Sequence, residues 1–180
     1  MKHTIRNANS SDLPFLLGIC FPDGEPDEGF IESIIEDKRN VSLVCDNGKQ
    51  ISGFIIGRVL IKNLPSSPDN SIWMQATYNE LLESIVPYNH TFCEIYNLWV
   101  APDYRQKGIS VILKQAIETY LTNEQVYYIT SRTEKKNSPV VQINKRLKYS
   151  VLKQNLMPEH VCFFKELTNS LKSVSQEDLT

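Results

Sequence analysis

The sequence lacks the features that mark membrane, secreted or nucleic-acid-binding chains. No stretch of its 180 residues approaches the run of about 20 apolar residues that a membrane-spanning helix needs. The opening MKHTIRNANSSDLP has no apolar core of the signal-peptide kind, so the expected location is the cytoplasm, away from membranes. Charge of one sign is missing too: 19 Lys and Arg stand against 21 Asp and Glu, a formal net charge of -2. That balance excludes the basic excess of a general nucleic-acid binder. The four cysteines, Cys20, Cys45, Cys93 and Cys162, are scattered, with no CxxC and no close Cys/His pair. They give no metal site and read as free, mostly buried thiols. His3, His90 and His160 are far apart and read as surface residues near strand ends. Internal repeats and low-complexity tracts are absent as well.

What is present is an ordinary globular balance, 41% hydrophobic and 22% charged, on a length that suits one domain with a core of its own. The expected domain covers residues 1–168, with an inserted loop and helix at about 61–90, and 169–180 form a polar, flexible tail. A short strand over 3–6 comes first. Ser10-Ser11-Asp12 then offers a helix N-cap ahead of Leu13, Leu16, Leu17 and Cys20 at helical spacing. An acid-rich helix is expected over 27–37, and strands over 41–45 and 51–60 flank Asp46-Asn47-Gly48, a hairpin turn that tolerates positive φ. After a loop over 63–70, Met74, Tyr78, Leu81, Leu82 and Ile85 recur at helical spacing. The nearly continuous apolar run 92–100 predicts a central strand buried on both faces. Ile109, Ile112, Leu113, Ala116, Ile117, Tyr120 and Leu121 then hold one face of the cleanest helix in the chain. A strand over 126–130, a helix over 139–147 and strands over 149–152 and 161–164 complete a mixed α/β (α+β) order.

The residues that carry chemistry lie at the crossover from the central strand into that helix, Val100-Ala-Pro-Asp-Tyr-Arg-Gln-Lys-Gly-Ile-Ser110. Backbone N–H groups at a helix start point outward and the macrodipole adds partial positive charge, which suits a pyrophosphate. Gly108 lets the backbone approach the phosphates without a Cβ, and Arg105 and Lys107 add formal charge. Taken by position alone, this is also what a solvated strand–helix loop looks like.

The neighbouring pattern resembles the GNAT superfamily of acyl-CoA-dependent N-acetyltransferases. The family's motif is an apolar strand ending in Val, then Arg/Gln-x-x-Gly-x-Gly/Ala, then an amphipathic helix. Arg105-Gln106-Lys107-Gly108-Ile109-Ser110 matches it with Ser110 in the last place. Ile5-Arg6 with Ser-Ser-Asp12-Leu-Pro14, and Asn137 with Leu147-Lys148-Tyr149, resemble the family's opening and its Asn…Leu-Gly-Phe stretch. The likeness runs over about residues 5–167. It implies a twisted, mostly antiparallel sheet of about seven strands flanked by helices, with a V-shaped split between strands 4 and 5. It also implies acetyl-CoA as cosubstrate, no metal, and pantetheine held by backbone groups of Leu98, Trp99 and Val100. Asn137 joins the loop as an expected cosubstrate-binding residue. Two positions depart from the pattern: Asn144 stands where the family often has a general-acid Tyr, and Lys148 where it has Gly.

Glu94, in the apolar run Phe-Cys-Glu-Ile-Tyr-Asn-Leu-Trp-Val, is the candidate general base, since an alkylammonium must lose a proton before it can attack a thioester. The alternative is a structural carboxylate paired with a basic residue of a neighbouring strand. By strict alternation Tyr96 and Leu98 share its face, making Tyr96 a candidate acid or substrate-wall residue, with a core aromatic as the alternative. Lys135, Lys136, Lys145, Arg146 and Lys148 form a basic cluster that could meet the 3′-phosphate of CoA or simply be solvated. The expected activity is transfer of acetyl to a primary amine of a small molecule or protein, by a monomer or homodimer. The acidic run Asp23, Glu25, Asp27, Glu28, Glu32, Glu36 and Asp37 is either the soluble face of a helix or a negative rim that would favour a cationic acceptor. The competing readings are an acyl-CoA-binding module of the same fold without turnover, and an interaction protein docking through the helix around 74–85.

Overall fold

Strands drawn from nearly the whole length of the chain, Thr4 to Glu166, assemble into one seven-stranded sheet. The computed structural model describes residues 3–20, 35–61, 86, 90–152 and 159–167. The expected helix over 27–37 (apart from its last residues), most of the insertion at 61–90 and the tail at 169–180 lie outside the described residues. The strands are β1 (Thr4–Asn7), β2 (Asn40–Asp46), β3 (Ile51–Ile61), β4 (Thr91–Val100), β5 (Tyr128–Glu134), β6 (Ser150–Val151) and β7 (His160–Glu166), in the order β1-β2-β3-β4-β5-β7-β6. The described helices are α1 (Leu13–Cys20), α2 (Ile109–Asn123) and α3 (Ser138–Arg146). All neighbouring strands are antiparallel except β4 and β5, which α2 joins as a crossover.

That parallel ladder is short: Cys93, Glu94 and Ile95 pair with Ile129, Thr130 and Ser131. Beyond it β4 stays with β3 as far as Val100, and β5 stays with β7 as far as Glu134. The sheet therefore splits between its fourth and fifth strands, as the family likeness implies. The expected strand over 126–130 is displaced to Tyr128–Glu134. The polar residues Ser131 to Glu134 hide it from a hydrophobicity reading, and their pairing with β7 keeps them in the sheet.

Local chemistry explains the two ends of the β1–β3 layer. The cap expected at Ser10-Ser11-Asp12 is Asn9, whose side chain accepts from Ser11 N while Asp12 accepts from Asn9 N at 2.9 Å. Arg6 grips the same Asp12 carboxylate through two bonds of 2.8 and 2.9 Å, which holds that carboxyl below its usual pKa. At the hairpin, Gly48 takes the left-handed conformation (φ 82°), and its N–H is bound by Asp46 Oδ1 at 2.7 Å.

The core lies between the sheet and α2. Ile109, Leu113, Ile117 and Leu121, four residues apart, form a stripe that is at most 1% exposed, each contributing about 1.5–3 kcal/mol on full burial. The helix can come this close because β3 presents Gly53 and Gly57 beneath it. A Cβ on Gly57 would stand 2.6 Å from Cys93 Sγ and 2.8 Å from Ile117 Cδ1. Of the cysteines with described side chains, Cys45 and Cys93 are buried and Cys162 half-buried, all free.

β4 does not follow strict alternation. Ile56 pairs with Asn97 and Gly57 with Ile95, so Tyr96 is an extra residue, a bulge. After it the faces are exchanged: Ile95 and Leu98 both join the core under α2, while Trp99 stacks on Phe54 (5.9 Å) on the α1 side. Leu98 thus lies on the face opposite Glu94, and Tyr96, half-exposed, is not a core aromatic. The strand is buried on both faces only over Phe92 to Ile95, since among the described residues its pairing with β5 ends at Ile95.

Candidate active site

The chain leaves β4 through a tightly tied loop. Pro102–Tyr104 forms one 3-10 turn, closed by Tyr104 N to Ala101 O (2.8 Å) and Arg105 N to Pro102 O (3.2 Å). Arg105 Nε donates back to Val100 O at 3.2 Å. Gln106 (φ 60°) and Gly108 (φ 81°) are both left-handed, and α2 begins at Ile109 with no side chain capping it. Val111 N and Ile112 N are the first to find a helical acceptor, Gly108 O. The amides before them have no acceptor within the helix and sit at its positive end, an arrangement that suits an anion. A Cβ on Gly108 would meet nothing within 4 Å. Within the protein, then, the backbone angle rather than lack of room is what calls for glycine there.

A cleft of about 650 Å³ opens beside this loop. Leu98, Trp99 and Val100 of β4, then Arg105, Gln106, Gly108, Ile109 and Ser110, form one wall; Asn137, Pro139, Val140, Gln142, Ile143 and Arg146 form the other, with Tyr104 and Val111 also lining it. Of the expected cosubstrate residues, Lys107 does not line the cleft. It is exposed, and its ammonium lies over the Tyr104 ring at 5.2 Å. Within the basic cluster Arg146 lines the cleft, whereas Lys135, Lys136, Lys145 and Lys148 are exposed, with Lys136 paired to Glu134 at 2.9 Å. Tyr104, Gln142 and Ile143 were not singled out by sequence. The signal available was their spacing: Tyr104 directly precedes Arg105, and Gln142 and Ile143 lie four and three residues before Arg146.

Glu94 is 5% exposed and occupies the middle rung of the β4–β5 ladder, one pair before the sheet opens. Arg58 of β3 is its cross-strand partner in register. The neighbouring strand therefore supplies the basic residue that a structural role for Glu94 would use. The carboxylate's field is also felt nearby: burial raises the Cys162 thiol pKa, with Arg132 opposing and Glu94 adding to the rise. Tyr96 is half-exposed at the bulge, where the ladder to β5 has just ended.

The two departures from the family pattern have distinct structural meanings. Asn144 is fully buried, accepts a hydrogen bond from Lys114 Nζ at 2.5 Å, and does not line the cleft. Lys148 is left-handed (φ 63°), a conformation that L-residues other than Asn and Asp seldom take, so the backbone form survives without the glycine.

Among the described residues no three His, Cys, Asp or Glu side chains come together to hold a metal ion, and no helix is long and apolar enough to cross a membrane. Residues 5–147 match the model of the acetyltransferase (GNAT) family, and the chain belongs to that family. No curated protein matches the sequence. Among solved structures, NAA60 of Arabidopsis thaliana in complex with a bisubstrate analogue aligns with TM-score 0.70 at 15% identity, over 93% of this chain and 100% of that one. The ribosomal-protein-S18-alanine N-acetyltransferase of Escherichia coli aligns with TM-score 0.67 at 15% identity, over 99% of both chains. AAC(6')-Iy, in complex with the bisubstrate analog CoA-S-monomethyl-acetylneamine, aligns with TM-score 0.64 at 17% identity, over 87% of this chain and 97% of that one. At such identities the likeness is one of fold.

Proposed function

We propose that this chain is an acetyl-CoA-dependent N-acetyltransferase acting on a primary amine of a small molecule or protein in the cytoplasm. The observation that carries the reading is one juxtaposition: the uncapped, left-handed entry to α2 lies in the same cleft as Leu98 to Val100, the stretch of β4 beyond the end of its ladder with β5. Pyrophosphate would sit on the amides around Gly108 to Ser110. Pantetheine would run along Leu98, Trp99 and Val100, whose outer backbone edge is available as a sheet edge is to an added strand. Asn137 and Arg146 would close the other wall.

In the reaction, Glu94 takes a proton from the acceptor's ammonium, and the freed lone pair attacks the thioester carbonyl carbon. The new C–N bond forms as the C–S bond breaks, CoA leaves as a thiolate, and the nitrogen loses its second proton to water as the amide forms. With Asn144 sealed from the cleft, the thiolate takes its proton from Tyr96 or from water. The acidic run between Asp23 and Asp37, mostly outside the described residues, is the ground for expecting cationic acceptors, whose kcat/KM would fall as salt rises.

Asn144 supports a second reading, a module that binds acyl-CoA without turnover. A thiol-release assay with acetyl-CoA against amines, polyamines, aminoglycosides and peptides separates the two. Turnover on any acceptor removes the binding-only reading. CoA binding without turnover on any favours it, and absence of CoA binding overturns both.

A further inference from the structure

We infer that Tyr104 is a positioning residue for the anion-binding loop, and that the turn between β2 and β3 is thereby part of the cosubstrate machinery; this rests on the acetyl-CoA reading above. The loop needs holding. Gln106 is left-handed without being glycine, a conformation that costs on the order of 1 kcal/mol and persists only where the surroundings impose it.

Tyr104 sits where those surroundings converge. Its phenol oxygen accepts from Asn47 Nδ2 at 2.7 Å and from Gln50 Nε2 at 3.2 Å, across more than 50 residues of chain. The Asn47 amide is itself fixed, because its Oδ1 accepts from Lys49 N (3.0 Å) and Gln50 N (3.1 Å), which directs Nδ2 away from the turn and onto the phenol. On the ring, His3 makes an edge contact at 6.0 Å, and Lys107 lays its ammonium on the ring at 5.2 Å. His3 also meets Ser52 Oγ at 3.3 Å, and Ser52 O accepts from Ala101 N at 3.0 Å, which ties the start of the same loop to β3.

The hydroxyl fixes the ring, the ring fixes Lys107, and residues 105–108 inherit one geometry before any anion arrives. A site organised in advance loses less freedom on binding. The contribution of Tyr104 therefore falls on affinity for the phosphate-bearing ligand and not on the chemical step.

The test uses the full chain with CoA as probe. Tyr104→Phe keeps the ring and removes the two tethers. Asn47→Ser combined with Gln50→Ala removes the same tethers from outside the cleft, while serine retains an acceptor for the turn. Calorimetry should show each variant binding CoA about fivefold more weakly, and all three changes together should still give about fivefold. In the free protein, amides 105–110 should exchange hydrogen faster in each variant, and kcat at saturating acetyl-CoA should be unchanged. Wild-type CoA affinity in Tyr104→Phe, or additive losses when the changes are combined, overturns the inference. Failure of the wild-type chain to bind CoA overturns the acetyl-CoA reading instead; the exchange measurement then decides the tether, and unaltered exchange at 105–110 overturns it.

Discussion

Lys114 and Asn144 meet at 2.5 Å with neither residue exposed to solvent, and their bond joins α2 to α3, the helices that contribute to the two walls of the cleft. The Lys114 ammonium also lies 4.3 Å from the centre of the Tyr149 ring. Burial lowers the Lys114 pKa to about 7, with Glu118 opposing the shift and Lys165 adding to it. A lysine this deeply enclosed gives the protein a stability that depends on pH.

Its sign follows from the two states. In the unfolded chain the lysine keeps its proton up to about pH 10.5, while in the folded protein it gives it up from about pH 7. Between these values the unfolded state binds more protons, so stability rises with pH. Over pH 7 to 9 the gain from this group is about 2 kcal/mol. Above pH 9 the buried Cys93 thiol, raised mainly by burial, acts in the opposite sense. Urea denaturation at pH 7, 8 and 9 should show the rise in the wild type relative to Lys114→Met. Parallel pH profiles would mean that Lys114 keeps its charge in the folded protein.

Much of the fold could be read from sequence because its signals are local. The stripe from Ile109 to Leu121, the Asn47-Gly48 turn and the basic Gly108 loop each lie within a few residues, and each is found where expected. The rest depends on partners distant in the chain. The bulge at Tyr96 arises from the register between β3 and β4, which no pattern within β4 states. Lys114 is enclosed by Asn144 and Tyr149, which lie some 30 residues later in the chain. Tyr104 likewise gains its meaning from Asn47 and Gln50. Candidate site residues were legible where backbone chemistry selects them, and not where side chains from separate elements do.

Glu94→Gln separates the base from the structural carboxylate. It preserves size and hydrogen bonding while removing proton uptake, so kcat should fall about 10²–10⁴-fold near neutral pH. CoA affinity should hold, since Glu94 does not line the cosubstrate cleft. Wild-type turnover with an unchanged pH profile would assign Glu94 to pairing with its neighbours, Arg58 foremost.

Lys148→Gly should make the protein more stable. Residue 148 follows Leu147 at the end of α3 in the left-handed conformation, with its N–H bonded to Lys145 O at 3.0 Å. Glycine takes this conformation without the Cβ penalty of about 1–2 kcal/mol, partly offset by its greater freedom when unfolded. The expected net gain is about 0.5–1 kcal/mol, or about 1–4 °C in Tm for a chain of this size. An unchanged or lower Tm would show that the lysine side chain makes compensating contacts.

Gly108 allows the two explanations of a glycine in the loop to be told apart. Its φ is 81°, and an added Cβ would meet nothing of the protein within 4 Å. Gly108→Ala therefore introduces backbone strain of about 1–2 kcal/mol without a steric clash inside the protein. If strain governs, the loop relaxes out of its left-handed form, the amides at the start of α2 turn away from the anion, and CoA binds about tenfold more weakly. Gly108→Asn then retains most of the affinity, because asparagine tolerates this region of φ and also caps helices well. If close approach of the phosphates governs instead, asparagine, with the larger side chain, is at least as damaging as alanine. Calorimetric CoA affinities of the two variants, in proteins of matched Tm, decide between them. Wild-type affinity in both would show that CoA does not bind at this loop.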